Sequence, residues 1–143
     1  MAVRMELSRI LIRELSDFQL IELREAAEPG ESLDGEPRSF PIVIGLPEAQ
    51  AIDRRLRGMP IDRPQTHDLL ASVIKALGGE LERISITHLS DSTFFAELTV
   101  RKESGEVIQI DSRPSDAIAL GVASDTPIYV AEEVIESATQ DLP

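Results

Sequence analysis

The sequence predicts an α+β fold: a compact single domain of duplicated β-β-β-α units, with a mixed or antiparallel sheet and helices packed on it. Three observations lead there. Short stretches alternate apolar and polar residues between Gly, Pro, Asp and Ser, as half-buried strands do. Other stretches repeat apolar residues at helical spacing behind a Pro, Ser or Thr. The order strand, strand, strand, helix occurs twice, from Glu6 to Arg57 and from Arg83 to Ala123. Hairpins with segregated helices favour an α+β domain.

Each element has its own signal. Glu6 to Leu15 and Phe18 to Glu25 read as strands around a Ser16-Asp17 turn. Residues 28–37 carry Pro and Gly at both ends and form a polar loop. Phe40 to Ile44 is a short apolar strand, and Pro47 starts a helix that Gly58 stops. Ala49, Ile52 and Leu56 mark its inner face, which leaves Arg54, Arg55 and Arg57 to water, like Lys75 on the next helix. Thr66 to Leu77 is the clearest helix, with Leu69, Leu70, Val73, Ile74 and Leu77 on one face and Gly78-Gly79 as its end.

Residues 83–87 and 94–101 form a hairpin around Asp91-Ser92, and residues 107–111 add a third strand. Alternation puts His88 on the face of Ile84 and Ile86, as a packed or bend residue. Ser115 opens a helix that is apolar almost all round, hence buried. Residues 127–130 are a last strand, and 132–138 a terminal helix or tail. Residues 139–143 are expected to be a loose end. One domain spans 1–143, with its core at about 5–138.

Composition limits the chemistry. With 143 residues the chain can bury a full core. It has no Cys, so disulfides, thiolate nucleophiles and Cys-ligated zinc are excluded. It has no apolar run long enough to span a membrane and no apolar leader at its start. A cytoplasmic protein with no membrane partner is the expectation. The net charge of −12, four Phe, one Tyr and no Trp count against a general nucleic-acid-binding surface. Dinucleotide, P-loop, nucleophile-elbow and zincin motifs are all absent from the sequence.

One phrase occurs twice: an Arg-Pro pair, a hydroxyl, an aspartate, then an apolar run. The copies are Arg63-Pro64-Gln65-Thr66-His67-Asp68 and Arg113-Pro114-Ser115-Asp116. Each places a cation, a capping hydroxyl and a carboxylate at a helix start, where unpaired backbone N–H groups welcome an anion. On one reading, Asp68 is a ligand for a hard metal and His67 a ligand or general base. On the other, Thr66 and Ser115 cap their helices and the acids complement the helix dipole. Asp111 ends a strand beside the second copy and could join Asp116, or Arg113 could simply pair with an aspartate. Glu48, behind Pro47, is a further carboxylate at a helix start.

Phe40-Pro41-Ile42-Val43-Ile44-Gly45, Glu48-Ala49-Gln50-Ala51-Ile52, Arg63 to Leu69, Thr93 to Ala96, Ile110 to Leu120 and Pro127 to Val130 occur in that order. Together they resemble the bifunctional nuclease domain family, whose members are credited with RNase and DNase activity. Ser112 stands where that family usually has Ala. The resemblance implies a nuclease acting on RNA or DNA. Asp68, Asp111 and Asp116 would hold a divalent metal, Mg²⁺ or Mn²⁺. His67 would handle the attacking water, and Arg63 and Arg113, with Thr66 and Ser115, would bind phosphate. The alternative is a non-catalytic homo-oligomeric binding or regulatory module. A homodimer is the default association.

Overall fold

The computed structural model describes residues 1–140. Its elements are β1 (Ala2–Leu11), β2 (Gln19–Glu25), β3 (Ser39–Ile44), α1 (Leu46–Arg57), α2 (Thr66–Ala76), β4 (Glu80–Ser90), β5 (Thr93–Arg101), β6 (Val107–Ser112), α3 (Pro114–Gly121), β7 (Ile128–Ala131) and α4 (Glu132–Gln140). A 3₁₀ turn, Val122–Ser124, follows α3. This is the expected α+β class, and the β-β-β-α order is present twice. Thr139 and Gln140 belong to α4 rather than to a loose tail; residues 141–143 lie outside the described residues.

The seven strands form one mixed sheet in the order β3-β2-β1-β7-β4-β5-β6. Each repeat is an antiparallel meander. β7 joins them, antiparallel to β1 and parallel to β4. The first strand therefore starts earlier than its alternation suggests: Ala2 to Met5 pair with Ala131 to Ile128. It also ends earlier, at Leu11. The segment after it is tied into a loop by buried Gln19, which accepts from the Arg13 amide and donates to the carbonyls of Arg13 (2.9 Å) and Ser16 (3.0 Å).

Alternation puts one sheet face in the core. Met5, Ile21, Leu23, Phe40, Ile84, Ile86, Ala96, Leu98 and Val130 are buried there. Each fully buried Ile, Leu or Phe contributes about 1.5–3 kcal/mol relative to exposure. The sheet curls without closing into a barrel. Phe40 of β3 stacks on Phe94 of β5, ring centroids 5.6 Å apart, although four strands stand between them in the sheet order. α1 and α3 pack together on this face. α3 is apolar enough to be buried along its whole length, except at Asp116.

Two local readings are corrected. A β-bulge between Ile86 and His88 shifts the alternation, so His88 turns outward and Leu89 packs on the core. α2 has the expected span, but none of its residues is buried. Leu69, Leu70, Val73 and Leu77 stand exposed, and so does Leu56 of α1.

Candidate functional site

α1, α2 and α3 start alike. Each has an extended residue at its N-cap and an acid at its third position: Glu48 behind Gly45, Asp68 behind Gln65, Asp116 behind Arg113. The caps are therefore Gln65 and Arg113, not Thr66 and Ser115. In α2 the helix starts one residue earlier than the hydroxyl suggests, at Gln65, whose backbone N–H donates to the Asp68 side chain. Thr66 is left exposed at the first helical position. Ser115 is the second helical residue of α3 and is buried.

His67 and Asp68 sit side by side but look in different directions. Asp68 accepts from the Gln65 amide (3.0 Å), from Arg54 Nη2 (2.8 Å) and from Arg55 Nη1. Arg55 also donates to the Ala119 carbonyl through Nε (2.5 Å) and to the Leu120 carbonyl through Nη2 (3.1 Å). Its side chain is only 8% exposed. Arg54 and Arg55 are thus not solvated charges as the helix pattern suggests. They clasp the start of α2 and the end of α3 to α1. Burial pushes the Asp68 carboxyl up, but the Gln65 amide and the two guanidiniums outweigh it and hold it below the ordinary value. Arg57 alone behaves as expected, pairing with Asp53 on an exposed helix face.

His67 reaches across to α3. Its Nε2 lies 2.9 Å from Asp116 Oδ1, and its side chain is 13% exposed. An ionised carboxylate only accepts, so Nε2 carries the proton and Nδ1 is the basic nitrogen. Among the described residues Nδ1 has no hydrogen-bond partner. Asp116 is also gripped by Arg113 in a two-pronged pair, Nε to Oδ2 at 2.8 Å and Nη2 to Oδ1 at 3.0 Å. Burial raises the Asp116 pKa, and Arg113 and His67 more than reverse this, so it stays ionised below the usual carboxylate range. Asp116 raises the Arg113 pKa in turn, with a smaller push from the charge of Glu48.

Arg113 belongs at the same time to a cleft of about 310 Å³. Gly45, Glu48, Ser92, Thr93 and Ser115 give it polar walls, and Ile42 and Phe94 an apolar floor. The curl that stacks Phe40 on Phe94 brings the starts of α1 and α3 together here. Gly45 has a local role: a Cβ added there would lie 2.2 Å from Glu48 Oε1. Arg63 stands exposed before α2 and makes no ion pair among the described residues.

Asp111 is elsewhere. Its cross-strand partner is Glu97, between Ala96 and Leu98, which face the core. Asp111 and Glu97 therefore point away from α3. They line an outer groove with Thr87, His88, Ser90 and Phe95. The expected metal set of Asp68, Asp111 and Asp116 is thus not assembled. Among the described residues no three His, Asp or Glu side chains gather at a spacing that could hold a metal ion. Asp68 is already engaged by two guanidiniums, so these carboxylates do not fit a shared Mg²⁺ or Mn²⁺. Sequence reasoning missed the arginine clasp. The one signal for it was the Arg54-Arg55 pair on a helix whose other face is apolar.

Fold and site together define a small α+β domain with an imidazole–carboxylate–guanidinium relay at the meeting of two helix starts. The bifunctional nuclease domain matches residues 32–143, and the chain belongs to that family. It is 40% identical over 101 residues to an uncharacterized protein of Mycobacterium tuberculosis, a match covering 71% of this chain and 59% of that protein. It is 29% identical to bifunctional nuclease 2 of rice (Oryza sativa subsp. japonica) and 26% identical to bifunctional nuclease 2 of Arabidopsis thaliana. Each of these plant matches covers 68% of this chain and 30% of the plant protein. The chain therefore spans less than two thirds of the length of each of these relatives. The family and its plant members support a nuclease-type function at family level.

Proposed function

We propose that this protein hydrolyses phosphodiester bonds of RNA or DNA at the His67–Asp116–Arg113 site. The observation that carries the reading is the 2.9 Å link between His67 and Asp116 beside the cleft that Arg113 lines. Asp116 holds the imidazole in one tautomer and stabilises the cation formed when Nδ1 takes a proton from the attacking hydroxyl or water. Arg113 supplies a fixed charge for the phosphate oxygens, and exposed Arg63 a second one. Ser115 and the first N–H groups of α3 line the same approach. Charge develops on the non-bridging oxygens as the new bond to phosphorus forms, and these groups stabilise it; the P–O bond to the leaving oxygen then breaks, and that oxygen takes up the proton held on Nδ1. Among the described residues Asp68, Asp111 and Asp116 do not converge on one ion, so the acid–base work falls to His67.

The net charge of −12 opposes any approach by a polyanion. Binding is therefore expected to be local, confined to the cleft, and to strengthen with salt screening of the rest of the surface. A second reading, a homo-oligomeric module without catalysis, is favoured by the exposed apolar row of α2.

One assay separates the two. Purified protein is incubated with end-labelled RNA, single-stranded DNA and duplex DNA, in EDTA, in Mg²⁺ and in Mn²⁺. His67→Gln is run beside it. Cleavage that falls about 10²–10⁴-fold in the variant supports the acid–base role. Cleavage equal in both, or absent with every substrate, refutes it.

A further inference from the structure

Three polar groups of the cleft beside Arg113 are left without a task in the fold. Ser115 lines the cleft and is only 5% exposed, yet among the described residues its hydroxyl has no hydrogen-bond partner. The oxygen is not sealed in, since Arg54 Nε is the one fully enclosed side-chain polar atom without a partner among those residues. A buried hydroxyl that bonds to nothing costs free energy and calls for a reason. Arg113 gives Nε and Nη2 to Asp116, which leaves Nη1 unpartnered. Glu48 makes no hydrogen bond or ion pair among the described residues, and its charge reaches Arg113 without contact.

Two helix starts supply these groups. α3 brings Arg113 and Ser115, and α1 brings Glu48. Gly45 fixes where the Glu48 carboxylate rests, because Oε1 lies 2.2 Å from the place a Cβ on that residue would take. The carboxylate therefore sits against a bare Cα in the cleft wall. Ile42 and Phe94 form the floor, and Phe94 is held there by stacking on Phe40. The volume of about 310 Å³ is at the small end of ligand pockets, which run from ~300 to 1,000 Å³. The cleft thus offers cationic and hydroxyl donors, a flat apolar floor and one group that only accepts.

We infer that Glu48 reads the base of the bound nucleotide and selects guanine, while Arg113 and Ser115 hold its phosphate. The inference rests on the reading that this cleft takes RNA or DNA. An ionised carboxylate presents two parallel acceptors and no donor. Among the common bases only guanine carries two adjacent donors, N1–H and N2–H, on one edge, so it meets both oxygens at once. Adenine and cytosine set a ring-nitrogen acceptor beside the amino group, and a carboxylate repels it. Uracil and thymine place a single N–H between two carbonyl oxygens. The charge of Glu48 penalises the phosphate of every nucleotide alike, and only a base that donates twice offsets the penalty. A carboxylate beside a phosphate site thus serves discrimination rather than affinity.

The test is the affinity of the full chain for nucleoside monophosphates, by isothermal titration calorimetry near neutral pH. GMP is expected to bind about 10–100-fold more tightly than AMP, CMP or UMP, the discrimination of one good bidentate pair. IMP keeps N1–H and lacks the amino group, so it should fall between GMP and AMP. Glu48→Gln should bring GMP down to the level of AMP without weakening AMP, with an unchanged circular dichroism spectrum. The inosine comparison needs only the wild type, so it decides the matter even where the variant fails to fold. Equal affinity for GMP, AMP, CMP and UMP, IMP binding as tightly as GMP, a GMP preference that survives Glu48→Gln, or no binding of any of them at millimolar concentration would overturn the inference. None of these measurements involves cleavage, so the hydrolytic role of His67 stands or falls separately, in the assay of His67→Gln.

Discussion

His67 Nε2 and Asp116 Oδ1 stand 2.9 Å apart and join two helix starts separated by 49 residues of sequence. Asp116 is the one residue of α3 that is not buried. A helix otherwise committed to the core thus exposes a single carboxylate, and that carboxylate holds an imidazole and a guanidinium. Asp116→Asn should keep the fold and lower hydrolysis, since the amide no longer stabilises a protonated His67. Arg113→Lys keeps the charge but loses the two-pronged grip. It should weaken substrate binding more than turnover, as a KM-against-kcat comparison would reveal.

Asp68 has a different task. Its carboxylate ties Arg54 and Arg55 of α1 to the start of α2, and all three side chains are less than a fifth exposed. Removing one member leaves the others shielded and unpaired. Asp68→Asn should therefore cost on the order of 2–4 kcal/mol in urea unfolding. A loss below about 0.5 kcal/mol would show that the clasp is not structural.

Acid should unfold the protein early. Arg38 holds Glu25 and Glu132 below their ordinary pKa, and Asp68 and Asp116 are also depressed. With folded values below unfolded ones, the unfolded chain binds more protons and stability rises with pH. The contribution is complete above the unfolded carboxylate range of about 4 and is lost as pH falls through the lower folded values. Urea midpoints should be level near pH 6 and drop steadily below about pH 4. The drop should be shallower in Asp68→Asn; an equal slope would remove that residue from the linkage.

Gly45→Ala tests the cleft. Its φ of −80° suits alanine, so the backbone is unstrained. The new Cβ lies where the Glu48 carboxylate now approaches and must push it aside. Melting should change by only a few degrees, which corresponds to less than about 1 kcal/mol. Hydrolysis should change more than stability. A large loss of stability with unaltered activity would place Gly45 in the fold alone.

Much of the fold was legible because it rests on local patterns. Alternation located β4 and β5, a short apolar run located β3, and Pro47, Gly58 and the Gly78-Gly79 pair bounded the helices. What could not be read was set by distant partners. β7 fits between β1 and β4 and so fixes where β1 begins. The bulge at Ile86/His88 turns His88 outward, an event of backbone register that leaves no mark in residue type. The candidate site was half legible. The repeated Arg-Pro phrase pointed to the starts of α2 and α3, where His67, Arg113 and Asp116 meet; Glu48, at the start of α1, lines the cleft with Arg113. Asp111 shares a motif with Asp116 but not a face, since a single strand residue decides which side of the sheet a carboxylate occupies. Asp68 looked like a partner of Asp116, and its charge is instead engaged by arginines that the helix pattern assigned to water.

The most direct measurement is the hydrolysis rate of one labelled strand by Asp116→Asn and Asp111→Asn, compared with wild type under the same ions. The expected result is a fall of about 10²-fold or more for Asp116→Asn and an unchanged rate for Asp111→Asn. An unchanged rate for Asp116→Asn, with the loss in Asp111→Asn instead, would contradict the site and move the chemistry to the outer groove.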